Sequence, residues 1–124
     1  MKLRNDLYTV RYETQEDNGW QCEIALNPAC FIYQAHFPGE PITPGACLLQ
    51  IARELLEEHL HTSLVIVYIK DVKFMSVITP EETPVISYRF SHFDETAEDE
   101  VKARVMVVSG DKSLCSLSFT CKKI

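Results

Sequence analysis

The stretch His36-Phe37-Pro38-Gly39-Glu40-Pro41-Ile42-Thr43-Pro44-Gly45 decides how this chain is organised. It sets three prolines and two glycines between a predicted strand and the only segment that reads as a long helix. Turning a corner does not need that much rigid punctuation; holding backbone groups in fixed, unusual positions does. Thr43 fits an N-cap and Pro44 the first helical position, so a helix is predicted from Pro44 to about His61. At about 100° per residue, Leu48, Ile51, Ala52, Leu55, Leu56 and Leu60 fill a broad apolar arc. Thr43, Cys47, Gln50, Glu54 and His61 line the opposite side. The helix start offers unpaired N–H groups at Gly45 and Ala46, backed by the positive end of the helix dipole. A ligand carbonyl can approach Gly45 closely, because no side chain intervenes. Just upstream is His36, and histidine is the side chain type suited to proton transfer near neutral pH. A base beside a carbonyl-polarising helix end is equipment for removing a proton α to a carbonyl. A lone loop histidine is also a common structural residue, so the chemistry alone leaves both readings standing.

Outward from this stretch, alternation marks strands. Tyr8, Val10 and Tyr12 alternate with polar neighbours, as do Trp20, Cys22, Ile24 and Leu26. The Asn18-Gly19 pair between them is a hairpin signal. Leu64 to Phe74 is nearly continuous apolar and β-branched, which predicts a strand buried on both faces. Strands around Ile86–Phe90, Val101–Val107 and Cys115–Cys121 follow, and the acidic run from Asp94 to Glu100 reads as a solvated loop. The predicted order is β-β-α-β-β-β-β. One helix and one largely antiparallel sheet define an α+β chain, a single domain over residues 1–124, with the sheet wrapped around the helix.

Composition narrows the function. Twelve Lys+Arg against eighteen Asp+Glu give a net charge of −6, with no basic cluster in the sequence, which argues against nucleic acid. The longest apolar run is too short for a bilayer span, so no membrane role is expected. The N-terminal residues lack an apolar signal core, and the five cysteines lack a C-x-x-C spacing; together these predict a reducing, cytoplasmic setting. His59 and His61 sit on opposite sides of the predicted helix and cannot share a ligand face, so no metal is expected. A chain of 124 residues leaves little interior for a private active site, which predicts shared sites in a dimer.

The ten residues from His36 to Gly45, followed by an apolar helix, resemble the H-F-P-G-x-P-x-x-P-G signature of the β-hydroxyacyl-acyl-carrier-protein dehydratases, which have the hotdog fold. Asn27-Pro28 and Phe31 resemble that family's approach to its histidine. Lys73-Phe74 and Thr79-Pro80-Glu81-Glu82 resemble its later strand end, with Glu81 in place of Gly. The resemblance implies a homodimer, or a trimer of dimers, with two shared sites. It implies a 3-hydroxyacyl thioester carried on the phosphopantetheine of an acyl carrier protein, with no cofactor of the protein's own. By the same resemblance His36 is the base, the Gly45 N–H holds the thioester carbonyl, and Phe37 and Ala46 line the substrate. The family's helix carboxylic acid, fourteen residues after the histidine, is here Gln50.

An amide can orient a hydroxyl or a water but cannot act as a general acid. Three readings follow: a dehydratase in which His36 shuttles both protons, an acyl-thioesterase in which Gln50 positions water, or a non-catalytic carrier-binding subunit. Alternatively Gln50 is only an exposed amide on the polar side of the helix. Glu54, one turn on, is a weaker candidate for the missing carboxylate. The family's N-terminal helix and its P-x-R-x-P-F-L-L-V-D segment have no match here, which leaves the length of a substrate tunnel open. An acidic carrier protein requires a locally basic surface, for which Lys70, Lys73, Arg104, Lys122 and Lys123 are the candidates.

Overall fold

Trp20, Cys22, Ile24 and Leu26 all point into the core, and every residue between them is half-exposed, so strand β2 (Gly19–Leu26) follows its sequence alternation residue by residue. The computed structural model describes residues 2–35, 39–94 and 99–124, with residues 92–94 described by their backbone only. The other elements are β1 (Tyr8–Glu16), α1 (Phe31–Ala35), α2 (Gly45–Leu60), β3 (Leu64–Phe74), β4 (Val85–Asp94), β5 (Glu100–Ser109) and β6 (Lys112–Lys123). The six strands form one antiparallel sheet in the order β1-β2-β4-β5-β6-β3.

Helix α2 lies against the inner sheet face. Leu48, Ile51, Ala52, Leu55 and Leu56 are buried there against Ile24, Ile86, Tyr88, Val105, Val107, Leu117 and Phe119. The short helix α1 has no counterpart in the sequence reading: its five residues lie between the strand read at Trp20–Leu26 and the His36–Gly45 motif, where no element is predicted. The first hairpin turns one residue earlier than expected. Glu16 pairs with Gly19, so Asp17-Asn18 forms the loop and Gly19 opens β2. Glycine is required there by a close backbone approach: a Cβ would lie 1.8 Å from the Phe90 carbonyl oxygen of β4.

Strand β3 corrects the sequence reading. It is not buried on both faces but is an edge strand, paired only with β6 and largely exposed. Val65, Val67, Tyr68, Ile69 and Phe74 are all open to solvent, with Tyr68 at 59%. Continuous apolar sequence cannot distinguish burial inside one chain from burial against a second. Two register shifts, between Ile66 and Tyr68 and between Ile69 and Asp71, add twist to this edge.

Residues 3–8 close the side of α2 that the helical wheel left polar. Leu3, Leu7 and Tyr8 are buried, and Glu54 beneath them is only 3% exposed. On the remaining flank His59 stacks on Trp20, and Trp20 on Phe90, with ring centroids 4.0 Å apart in each pair. Cys22, Cys115 and Cys121 are buried free thiols; burial pushes Cys22 up to about 12 and the other two up to about 11, so they serve as small apolar side chains.

Candidate functional site

Proline 44, not Thr43, is the N-cap of α2. Its backbone is extended (φ −62°, ψ 144°), and its carbonyl accepts the Cys47 and Leu48 N–H groups at 3.0 and 3.1 Å. Thr43 cannot cap because it is engaged elsewhere. Its N–H donates to the Ile78 carbonyl at 2.8 Å, and its hydroxyl lies 2.9 Å from the Tyr33 hydroxyl of α1. These contacts fix the chain at the helix entry. The N–H groups of Gly45 and Ala46 make no hydrogen bond among the described residues. They project from the positive end of a helix of sixteen residues, where partial negative charge is stabilised.

In front of this helix end lies an apolar cleft of about 300 Å³, lined by Ile42, Gly45, Leu48, Phe74, Val77 and Ile78. Gly45 has a packing reason to lack a side chain: a Cβ would meet the Phe74 ring at 2.6 Å. The Phe74 side chain, half-exposed at the end of edge strand β3, therefore stands directly at the helix start.

Gln50 follows Gly45 by five residues, roughly 7.5 Å along the axis. It is half-buried rather than an exposed amide, and its Nε2 donates to Glu54 Oε2 at 2.9 Å. Glu54 is not a substitute acid. Besides Gln50 it accepts the Leu3 N–H at 2.8 Å, the Arg4 N–H at 2.9 Å and the Tyr8 hydroxyl at 2.9 Å. Burial alone would raise its pKa, but these hydrogen bonds outweigh burial and hold the carboxyl below its ordinary value. Tyr8 moves the other way: burial, then the charge of Glu54 and the hydrogen bond to it, raise the phenol and keep it a donor. The sequence signal for this network was present in Leu3, Leu7 and Tyr8, apolar residues spaced to cover the helix. It was hidden because the wheel assigned Glu54 to solvent.

His36 and Phe37 lie outside the described residues. Of the candidate cations, Lys70 and Arg104 join Lys102 in a groove of about 440 Å³ on the outer sheet face, beside Tyr68, Ser118 and Thr120. Lys73 and Lys122 flank it by register, across from Ser116 and Glu100, whereas Lys123 falls on the opposite face by alternation. Among the described residues no helix is long and apolar enough to cross a membrane, and no group of His, Cys, Asp or Glu is gathered to hold a metal.

Six antiparallel strands curled around one long helix, with the candidate site at that helix's start, define a hotdog-fold protein. Solved structures agree on the fold. The ApeI:P dehydratase heterocomplex of Xenorhabdus doucetiae superposes with a TM-score of 0.66 at 16% identity, covering 92% of this chain and 96% of that one. A protein from Erwinia carotovora subsp. atroseptica gives 0.63 at 19% identity, covering 95% and 98%. A hypothetical thioesterase of Streptococcus pneumoniae with coenzyme A gives 0.60 at 9% identity, covering 94% and 85%. No curated protein matches the chain significantly. The model of the ApeI-like family, described as ApeI dehydratase, matches residues 12–113, and the chain belongs to that hotdog dehydratase family.

Proposed function

We propose that this protein is a hydro-lyase that removes water from a 3-hydroxyacyl thioester carried on an acyl carrier protein, giving the trans-2-enoyl thioester. The observation that carries the reading is the start of α2: two N–H groups without a partner among the described residues, beside an apolar cleft, directly after the His36–Gly45 motif. The thioester carbonyl accepts from Gly45 and Ala46, which stabilise the negative charge that develops when C2 loses its proton. His36 takes that proton. The C2–H electron pair becomes the C2–C3 double bond as the C3–O bond breaks. The same imidazolium returns its proton to the departing hydroxide, so one water leaves and the histidine is restored. The 3-hydroxyl is oriented by Gln50, the acyl chain runs along the apolar cleft, and Phe37 is assigned to substrate binding by the motif alone.

The exposed apolar edge β3 supports a homodimer, since an unpaired edge of this kind invites a second strand and carries Phe74 at the helix start. The groove that gathers Lys70, Lys102 and Arg104 around a single carboxylate, Glu100, supports an acidic carrier protein as partner, despite the net charge of −6. Five free cysteines, four of them buried, are in keeping with a reducing, cytoplasmic setting, and the thioester chemistry with fatty-acid or related lipid or polyene synthesis.

Purified protein incubated with a carrier-linked 3-hydroxyacyl substrate tests the proposal by mass. A carrier-linked product lighter by one water supports it. Release of the free acid points to a thioesterase, and an unchanged substrate that stays bound points to a non-catalytic carrier-binding subunit.

A further inference from the structure

We propose that Glu54 is the positioning residue of this site, holding the Gln50 carboxamide with Nε2 turned to the carboxylate and Oε1 turned away from it. The inference rests on the reading of Gln50 as a substrate-facing group, and it says how that group is presented. Glu54 is charged and accepts only, so the Gln50 atom 2.9 Å from it must be the nitrogen. The reverse orientation would set the amide oxygen against a carboxylate oxygen. Glu54 cannot swing to accommodate it, because the Leu3 and Arg4 N–H groups and the Tyr8 hydroxyl fix both of its oxygens. The amide is thereby tied through one buried carboxylate to the N-terminal turn, whose residues Leu3 and Tyr8 are themselves buried.

The orientation has a chemical consequence. Gln50 meets a 3-hydroxyl as an acceptor, which directs the hydroxyl hydrogen towards Oε1 and leaves the oxygen lone pairs for the histidine's proton. Gln50 is then an orienting group in a one-base elimination, and Glu54 acts only through it.

Side-chain amide NMR of the wild-type protein tests the orientation without any variant having to fold and without any substrate. One Nε2 proton of Gln50 is expected to exchange with water at least tenfold more slowly than those of the exposed Gln34. Equal exchange would overturn the proposal. A double-mutant cycle tests the consequence. Glu54→Gln is expected to lower kcat at least tenfold while KM stays within twofold, and to have no further effect on kcat in a Gln50→Ala background. Multiplicative losses in the double variant would mean that Glu54 acts through the fold and not through Gln50, and would overturn the positioning role. If the wild type turns over no 3-hydroxyacyl thioester, the dehydratase reading fails, while the exchange rates still decide the positioning.

Discussion

Replacing Glu54 by Leu removes one acceptor and strands four donors. Two of them, the Leu3 N–H and the Tyr8 hydroxyl, are buried, while the Arg4 N–H and the Gln50 amide are only partly so and can turn to water. Each buried donor left without an acceptor costs about 1–3 kcal/mol, so two cost roughly 2–6 kcal/mol. Burying leucine in place of a desolvated carboxylate returns up to about 2 kcal/mol, for a net loss of about 3 kcal/mol. A domain of this length has a total stability of roughly 6–19 kcal/mol, so the variant should fold but with a visibly lower urea midpoint at unchanged m. The pH dependence has a defined sign. The folded-state pKa of Glu54 is depressed, so its stabilisation is complete above the ordinary carboxylate range and disappears as pH falls through the folded value. The gap between wild type and variant should therefore be constant near neutrality and narrow in acid. A midpoint within about 0.5 kcal/mol of wild type, or a gap that widens in acid, would refute the reasoning that Glu54 anchors the N-terminal turn.

Gly19→Ala should lower Tm steeply, because its Cβ would fall 1.8 Å from the Phe90 carbonyl oxygen and β2 and β4 would have to separate; calorimetry within a degree of wild type would contradict this. Val67→Lys, at an edge position that is 49% exposed, should halve the mass measured by light scattering if copies pair through β3, with the far-UV circular dichroism unchanged; an unaltered mass would place self-association elsewhere. Gln50→Glu would set two carboxyls at hydrogen-bonding distance, where both cannot ionise, so the pair shares one proton that it can pass to the leaving hydroxyl, which the amide cannot do. Its elimination rate should exceed that of wild type and fall as pH rises; a rate below wild type across the pH range would contradict an active-site position for residue 50.

Much of the architecture was legible because binary patterning does not need context. The alternation in β2 and the apolar arc of α2 depend on local geometry alone, and both lie where the pattern puts them. The N-cap slipped by one residue because Thr43 and Pro44 both suit a helix entry, and a long-range bond from Thr43 to Ile78 decided between them. The reading of β3 failed for a related reason: hydrophobicity reports a need for cover, not its source. Glu54 was misread because a helical wheel sees only its own helix, whereas the donors for Glu54 come from residues some fifty positions earlier. Of the candidate site, the long helix that starts after the His36–Gly45 motif was legible, and its entry lies where the prolines put it. The orientation of Gln50 was not legible, since it depends on a carboxylate fixed in place by donors from residues 3–8.

The most direct test of the account is the reverse reaction in heavy water. A trans-2-enoyl carrier thioester is incubated with the protein in D2O, and the hydrated product is examined for deuterium at C2. The account predicts one deuterium at C2 with wild type and none with His36→Ala. Deuterium delivered at the wild-type rate by His36→Ala, or no hydration by the wild-type protein, would contradict it.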